Sequence, residues 1–149
     1  MTYPGFFDAV LQKIGAPVTN NNLSILLYWA QHEGGKASYN SLNTTMKAAG
    51  TTDYNSAGVK NYPDAQTGIN ATAKTLLLSY YRPIVEALRA NKSISYYYGN
   101  QDIIKALKTW GTVNLADELS KTSGSQQKKK LLMIAGIMAA AAALLTLNK

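Results

Sequence analysis

An apolar helical pattern that stops at two glycines, followed by a polar stretch without periodicity over 36–67, constrains this chain more than any other feature. Leu23, Leu26, Leu27 and Ala30 recur at helical spacing, and Ile25 and Trp29 widen the face. A helix over about 22–33 is therefore expected to be central and largely buried. The run 19–22 offers N-cap side chains, and Gly34-Gly35 supplies a C-terminal stop. Glu33 follows Leu26 by seven residues and Trp29 by four, which turns it toward the buried side in the last turn. The carbonyl end of a helix disfavours an ionised carboxylate, and Trp29 is expected to strip water from it. Both effects favour the protonated form that a general acid supplies. The plainer alternative is a solvated glutamate that merely ends a helix.

The rest of the chain reads as mainly α. Phe6, Phe7, Val10, Leu11 and Ile14 predict a first helix over about 4–14. Ile69, Ala73, Leu76, Leu77, Tyr80, Ile84 and Leu88 keep one face across Pro83, as one kinked helix or two abutting ones. Residues 92–99 read as a link whose Tyr96-Tyr-Tyr98 run either lies beside the site or packs on the core, packing being the better account. Asn100 opens a further helix with Ile103, Ile104, Leu107 and Trp110 on one face, closed by Gly111, and Asp117-Glu118 reads as a frayed end. Within the polar stretch, 42–45 and 58–62 are expected as two brief strands of a small hairpin, with Gly50 and Asn55 in turns. A segment this long and irregular in a small domain is usually functional.

The net charge of +7 divides unevenly. Residues 1–120 hold ten Lys/Arg against eight Asp/Glu, whereas 121–149 hold five lysines and no acid. Basic residues spread over a folded face, as nucleic-acid binding requires, are therefore not supplied. Lys128, Lys129 and Lys130 precede the uncharged run 131–147, seventeen residues or roughly 26 Å as a helix. That is the short limit for spanning a bilayer core, and the absence of a polar face argues for lipid or complete burial. The domains expected are 1–119, a linker with a basic cluster at 120–130, and a transmembrane helix at 131–147. There is no cysteine and one histidine, so no metal site and no cofactor are expected. Ten tyrosines against two Phe and two Trp suit a surface that stacks on polar ligands such as sugars.

Read together, Trp29-Ala-Gln-His-Glu-Gly-Gly35, Tyr39-Asn-Ser-Leu-Asn-Thr-Thr45 and Asn55-Ser-Ala-Gly-Val-Lys-Asn-Tyr-Pro63 form an ordered series. With Gly68-Ile-Asn-Ala-Thr-Ala-Lys-Thr-Leu76, Tyr81-Arg-Pro-Ile-Val-Glu-Ala-Leu88 and Trp110-Gly-Thr112, the chain resembles a lysozyme-like family of phage and actinobacterial proteins related to lytic transglycosylases. The resemblance covers about 6–112. It implies a lysozyme-like, mainly α fold that binds the glycan strand of peptidoglycan and cleaves it between MurNAc and GlcNAc. Glu33 would be the acid/base, and Tyr39, Asn43, Thr44, Thr45, Asn55 and Tyr62 are the glycan contacts expected from the polar stretch. A lone carboxylate suffices where the substrate's N-acetyl group or 6-hydroxyl completes the displacement. A hydrolase ordinarily wants a second carboxylate, for which Asp53 and Asp64 are the candidates in the polar stretch, although loop aspartates in turns are the better account of both. The chain departs from the better-known soluble transglycosylases at Gly34, where they carry Ser, and at Gly58-Val-Lys-Asn61, where they carry a Gly-Leu-Met-Gln-type loop.

The partners expected are the peptidoglycan glycan strand, a lipid bilayer and other membrane or capsid proteins of a virion, with no nucleic acid. The first residues show neither the basic nor the apolar region of a secretory leader. Anchorage in a virion membrane or host inner membrane follows from that architecture. Two other readings stay open at this level: a non-catalytic wall-binding or structural virion protein, and a membrane-perturbing protein acting through 131–147.

Overall fold

The structure is a computed structural model that describes residues 4–121 together with Met133 and Gly136. Its elements run α1 (Phe6–Lys13), α2 (Asn20–Glu33), β1 (Thr52–Asp53), β2 (Lys60–Asn61), α3 (Ala65–Leu76), a 3-10 turn (Ser79–Tyr81), α4 (Arg82–Arg89), α5 (Ile94–Tyr97), α6 (Gln101–Trp110) and α7 (Val113–Ser120). The fold is mainly helical, as expected. Among the described residues no helix is long and apolar enough to cross a membrane. The expected span over 131–147 lies, but for Met133 and Gly136, outside the described residues.

Helix α2 runs through the middle of the core, where Leu26 and Trp29 are buried among side chains of the surrounding helices. Its start is fixed by Thr19, whose hydroxyl accepts the Asn22 N–H at 3.1 Å. Fully buried Asn22 then spends both amide hydrogens on carbonyls, those of Pro17 and Leu88, each at 2.8 Å. This side chain ties the head of α2 to the end of α4. Asn22→Ala leaves the Pro17 carbonyl without this donor, and a loss of about 1–3 kcal/mol is expected from urea denaturation. At the other end Gly34 adopts φ 56° and donates its N–H to the Ala30 carbonyl, the left-handed stop that the glycine pair suggested.

The long row from Ile69 to Leu88 resolves into two helices. Leu78 is extended and opens the 3-10 turn, and Pro83 lies in the first turn of α4, where a missing N–H costs nothing. Proline here begins a helix instead of bending one. The change of direction sends Tyr80 outward, 67% exposed, and brings Tyr81 in against Trp110 with ring centroids 4.8 Å apart.

The hairpin also differs from expectation. Strand β1 is 52–53, not 42–45, and pairs antiparallel with β2 in the register Thr52↔Asn61 and Asp53↔Lys60. Segment 42–45 lies beside β2 without forming a ladder. One backbone bond, Lys60 N–H to the Thr44 carbonyl at 3.3 Å, is supplemented by buried Asn40. Its amide donates to the Thr44 and Lys60 carbonyls at 2.8 and 2.7 Å and accepts the Thr44 N–H at 2.8 Å. A side chain thus stands where a neighbouring strand would.

Lys60 is 8% exposed and its ammonium is satisfied by Asp53. The hydrogen bond and charge of Lys60 hold the Asp53 carboxyl below its ordinary value of 3.8. A lowered carboxyl contributes stability that is present above its unfolded value and lost as pH falls through the native one. Acidification below 3.8 is therefore expected to loosen the hairpin. Amide protection at Tyr54 and Lys60, taken relative to the intrinsic exchange rate at each pH, should fall in acid, and in Asp53→Asn it should already be low at neutral pH.

Helix α7 is a correction. Asp117-Glu118 belongs to a packed helix, not a frayed end, because Leu115, Ala116 and Leu119 are buried against α6 and α2. Eight residues with a single apolar stripe interrupted by two acids left little helical signal in the sequence. The Tyr96-Tyr-Tyr98 run packs as expected at Tyr97 and Tyr98, while Tyr96 is exposed under the Lys92 ammonium.

Candidate active site

Glu33 ends α2 half-buried, one turn beyond Trp29. Three elements remote from one another in sequence meet at its carboxylate. From α2 itself, the Trp29 indole N–H reaches Oε1 at 3.3 Å. The same N–H donates more closely, at 2.7 Å, to the hydroxyl of Thr112, between α6 and α7. Thr112 in turn donates its hydroxyl hydrogen to Glu33 Oε1. From the polar stretch, the Asn43 amide donates to Oε2 at 3.0 Å and to the Glu33 main-chain carbonyl at 3.1 Å. Each carboxylate oxygen therefore has a donor from a different segment, which holds the group in one orientation. Trp29, expected beside the carboxylate, meets it through the polar edge of its ring.

The loop that delivers Asn43 is fixed from below. Trp110 donates its indole N–H to the Leu42 carbonyl at 2.7 Å and stacks edge-on to Trp29 at 4.9 Å. Asn43 itself adopts φ 55°, a left-handed conformation that asparagine tolerates better than most residues. Gly35 is obliged by the same approach, since a Cβ there would meet Asn43 Oδ1 at 2.6 Å.

A second polar group fastens α7 to the same end of α2. Tyr28 donates its hydroxyl to Glu118, and His32 Nε2 lies 3.3 Å from the other Glu118 oxygen. Burial, then the hydrogen bond to Glu118, pushes the Tyr28 phenol far above its ordinary value. This latch sits on α7, the helix that follows Thr112, so it steadies the hydroxyl facing Glu33.

Of the residues expected to contact a glycan, Asn43 joins Glu33 directly. Tyr39 and Thr45 are exposed on the same loop. Thr44 and Tyr62 are buried, each 2% exposed, and have structural partners. The Thr44 hydroxyl meets that of Thr75, and the Tyr62 hydroxyl donates to the Met46 carbonyl at 2.7 Å. Burial pushes the Tyr62 phenol up to about 12. Asn55 is exposed, but its side chain organises the hairpin turn, accepting the Ala57 and Val59 N–H groups at 3.1 and 3.2 Å. Thr44, Asn55 and Tyr62 are therefore scaffold residues in this structure. Asp53 and Asp64 are also engaged elsewhere: Asp53 with Lys60, and Asp64 as the cap of α3, accepting the Thr67 N–H at 2.7 Å.

Two site residues escaped sequence reasoning, Thr112 as a donor to Glu33 and Trp29 as a polar partner. Trp29 had a signal in its spacing of four from Glu33. Thr112, 79 residues away, stood in the Trp110-Gly-Thr112 stretch of the resemblance, but nothing in it pointed to a contact with Glu33. Thr112→Val removes the hydroxyl while nearly keeping the shape, and leaves the buried Trp29 N–H only its long contact to Glu33 Oε1. A loss of about 1–3 kcal/mol is expected from urea denaturation, with Thr112→Ser close to wild type.

Compared with known proteins, the chain matches no family model, no curated protein and no solved structure.

Proposed function

We propose that this protein cleaves the glycan strand of peptidoglycan between MurNAc and GlcNAc, with Glu33 as its single acid/base. The observation that carries this reading is a half-buried carboxylate with both oxygens held by donors, beside an exposed loop bearing Tyr39 and Thr45. Protonated Glu33 gives its proton to the glycosidic oxygen as the bond from that oxygen to the MurNAc anomeric carbon breaks. The N-acetyl group of the substrate supports the electron-poor carbon. Glu33, now a carboxylate, takes the proton of the 6-hydroxyl as that oxygen attacks, leaving a 1,6-anhydro sugar and a restored acid. No water is consumed.

The engagement of Asp53 with Lys60 and of Asp64 with the α3 N-terminus supports this substrate-assisted route over one using either as a second carboxylate. The run 131–147 anchors the domain in a bilayer in this reading, that of a virion or of the host inner membrane. Mass spectrometry of products from full-length protein and purified peptidoglycan tests the chemistry. Anhydro-ended muropeptides are expected. Reducing-end products would make the reaction a hydrolysis, and uncut glycan in the presence of folded protein would overturn the enzymatic reading in favour of a wall-binding role.

A further inference from the structure

The segment that follows Asn43, the partner of Glu33, walls a cavity of about 230 Å³ from Met46 onward. Met46, Lys47 and Ala49 form one side of it. The other side is one face of α3, where Asn70, Ala71 and Lys74 align with Thr67 at helical spacing. The wall is firmly placed, because the Tyr62 hydroxyl holds the Met46 carbonyl and the Thr44 hydroxyl meets α3 at Thr75.

The chemistry of this cavity is one-sided. Two lysines line it, Lys47 from the loop wall and Lys74 from α3, both exposed, and no acid lines it. Among the described residues neither lysine has a carboxylate within 4.0 Å. Asp53, on which Lys47 acts only as a minor influence, is fastened to Lys60. Asn70 accepts from Gln66 through its carbonyl, which leaves its amide hydrogens for a ligand. Met46 and the alanines supply apolar floor between these donors. The larger cavity near α4, about 300 Å³, differs in having Glu86 and Asp102 opposite its one lysine.

We propose that the Lys47–Lys74 cavity is a subsite for a free carboxylate on the peptide that peptidoglycan carries beside the scissile sugar. Asn43 and Met46 are three residues apart in the chain, a span of at most about 11 Å, so a glycan seated at Glu33 can present its peptide here. The lysines supply the charge, the Asn70 amide a directed hydrogen bond, and the Met46 wall a contact for short apolar side chains. This inference rests on the glycan-cleaving reading of Glu33.

The test uses full-length Glu33→Gln protein, which prevents turnover, and a disaccharide-peptide with its peptide carboxylates free or amidated. Titration calorimetry should show the free acid binding more tightly, with the preference shrinking as salt rises. Lys47→Gln and Lys74→Gln should each weaken the free acid about threefold to fivefold and leave the amidated form unchanged. Equal binding of both forms, unaffected by either substitution, overturns the subsite while the glycan-cleaving reading stands. No binding of either form, together with uncut peptidoglycan in the wild-type product assay, overturns both. Both lysines are exposed, so glutamine at either position is not expected to disturb the fold.

Discussion

Glu33→Gln is expected to lower the proposed glycan-strand cleavage about 10²–10⁴-fold, the scale on which a positioned general acid/base acts. The fold should register the change only modestly. A glutamine at this position can offer its carbonyl to the Asn43 amide and its N–H to the Thr112 oxygen, whose second lone pair is available once Trp29 has taken the first. Size, burial and the Asn43 contact are preserved, whereas the Thr112 contact reverses direction and the Thr112 hydroxyl hydrogen loses Glu33 Oε1 as its acceptor, at a cost of about 1 kcal/mol. Product release from purified peptidoglycan measures the first quantity, and a urea midpoint measures the second. A variant that keeps cleavage within a few-fold of wild type would move the acid away from α2 altogether. A variant that loses both activity and stability would show only that the site is part of the core. Asparagine at position 43 offers a complementary check: Asn43→Ala frees Glu33 Oε2, and cleavage should fall less than in Glu33→Gln because the acid itself remains.

The largest effect on stability is expected from Gly68→Ala. Alanine normally stabilises a helix interior by about 0.5–1 kcal/mol relative to glycine. At position 68 in α3, however, a Cβ would lie 1.9 Å from the Tyr39 carbonyl oxygen and 3.0 Å from the Tyr39 Cβ. Main chain cannot swing aside as a long side chain can, so the added methyl has to push α3 and the 39–43 loop apart. A cost of about 3 kcal/mol is expected, at the upper end of the usual range for overpacking. The same displacement drags Asn43 from Glu33, so cleavage should fall in parallel with stability. Urea denaturation decides the matter by sign: a midpoint at or above wild type would mean that loop and helix are not in this contact.

What the sequence made legible was local. Thr19, Asn22 and Gly34 mark the ends of α2 within a few residues of where they act, and Trp29 and Glu33 lie one turn apart on the same helix. The hairpin was misplaced because its two-residue strands carry no alternation, and because the Asn40 side chain replaces backbone pairing at Thr44. Hydroxyl-bearing residues in an unpatterned stretch gave no sign of facing in or out. Thr44 and Tyr62 consequently resembled ligand contacts, although buried hydrogen bonds to Thr75 and Met46 engage them. Pro83 was legible as an interruption, but only the turn at 79–81 shows that it starts a helix. Thr112 depended on tertiary closure: α7 had to dock before its first hydroxyl could meet a carboxylate from α2.

The chain holds two tryptophans, and both indoles are built into the walls of this site. Trp29 hydrogen-bonds beside the Glu33 carboxylate, and Trp110 grips the carbonyl preceding Asn43. Light absorbed at the red edge, where the ten tyrosines contribute little, is therefore emitted from around Glu33 and from nowhere else in the protein. The molecule thus carries its own optical probe: ligand entry, protonation or loss of the Asn43 contact should each alter the emission, with no label added.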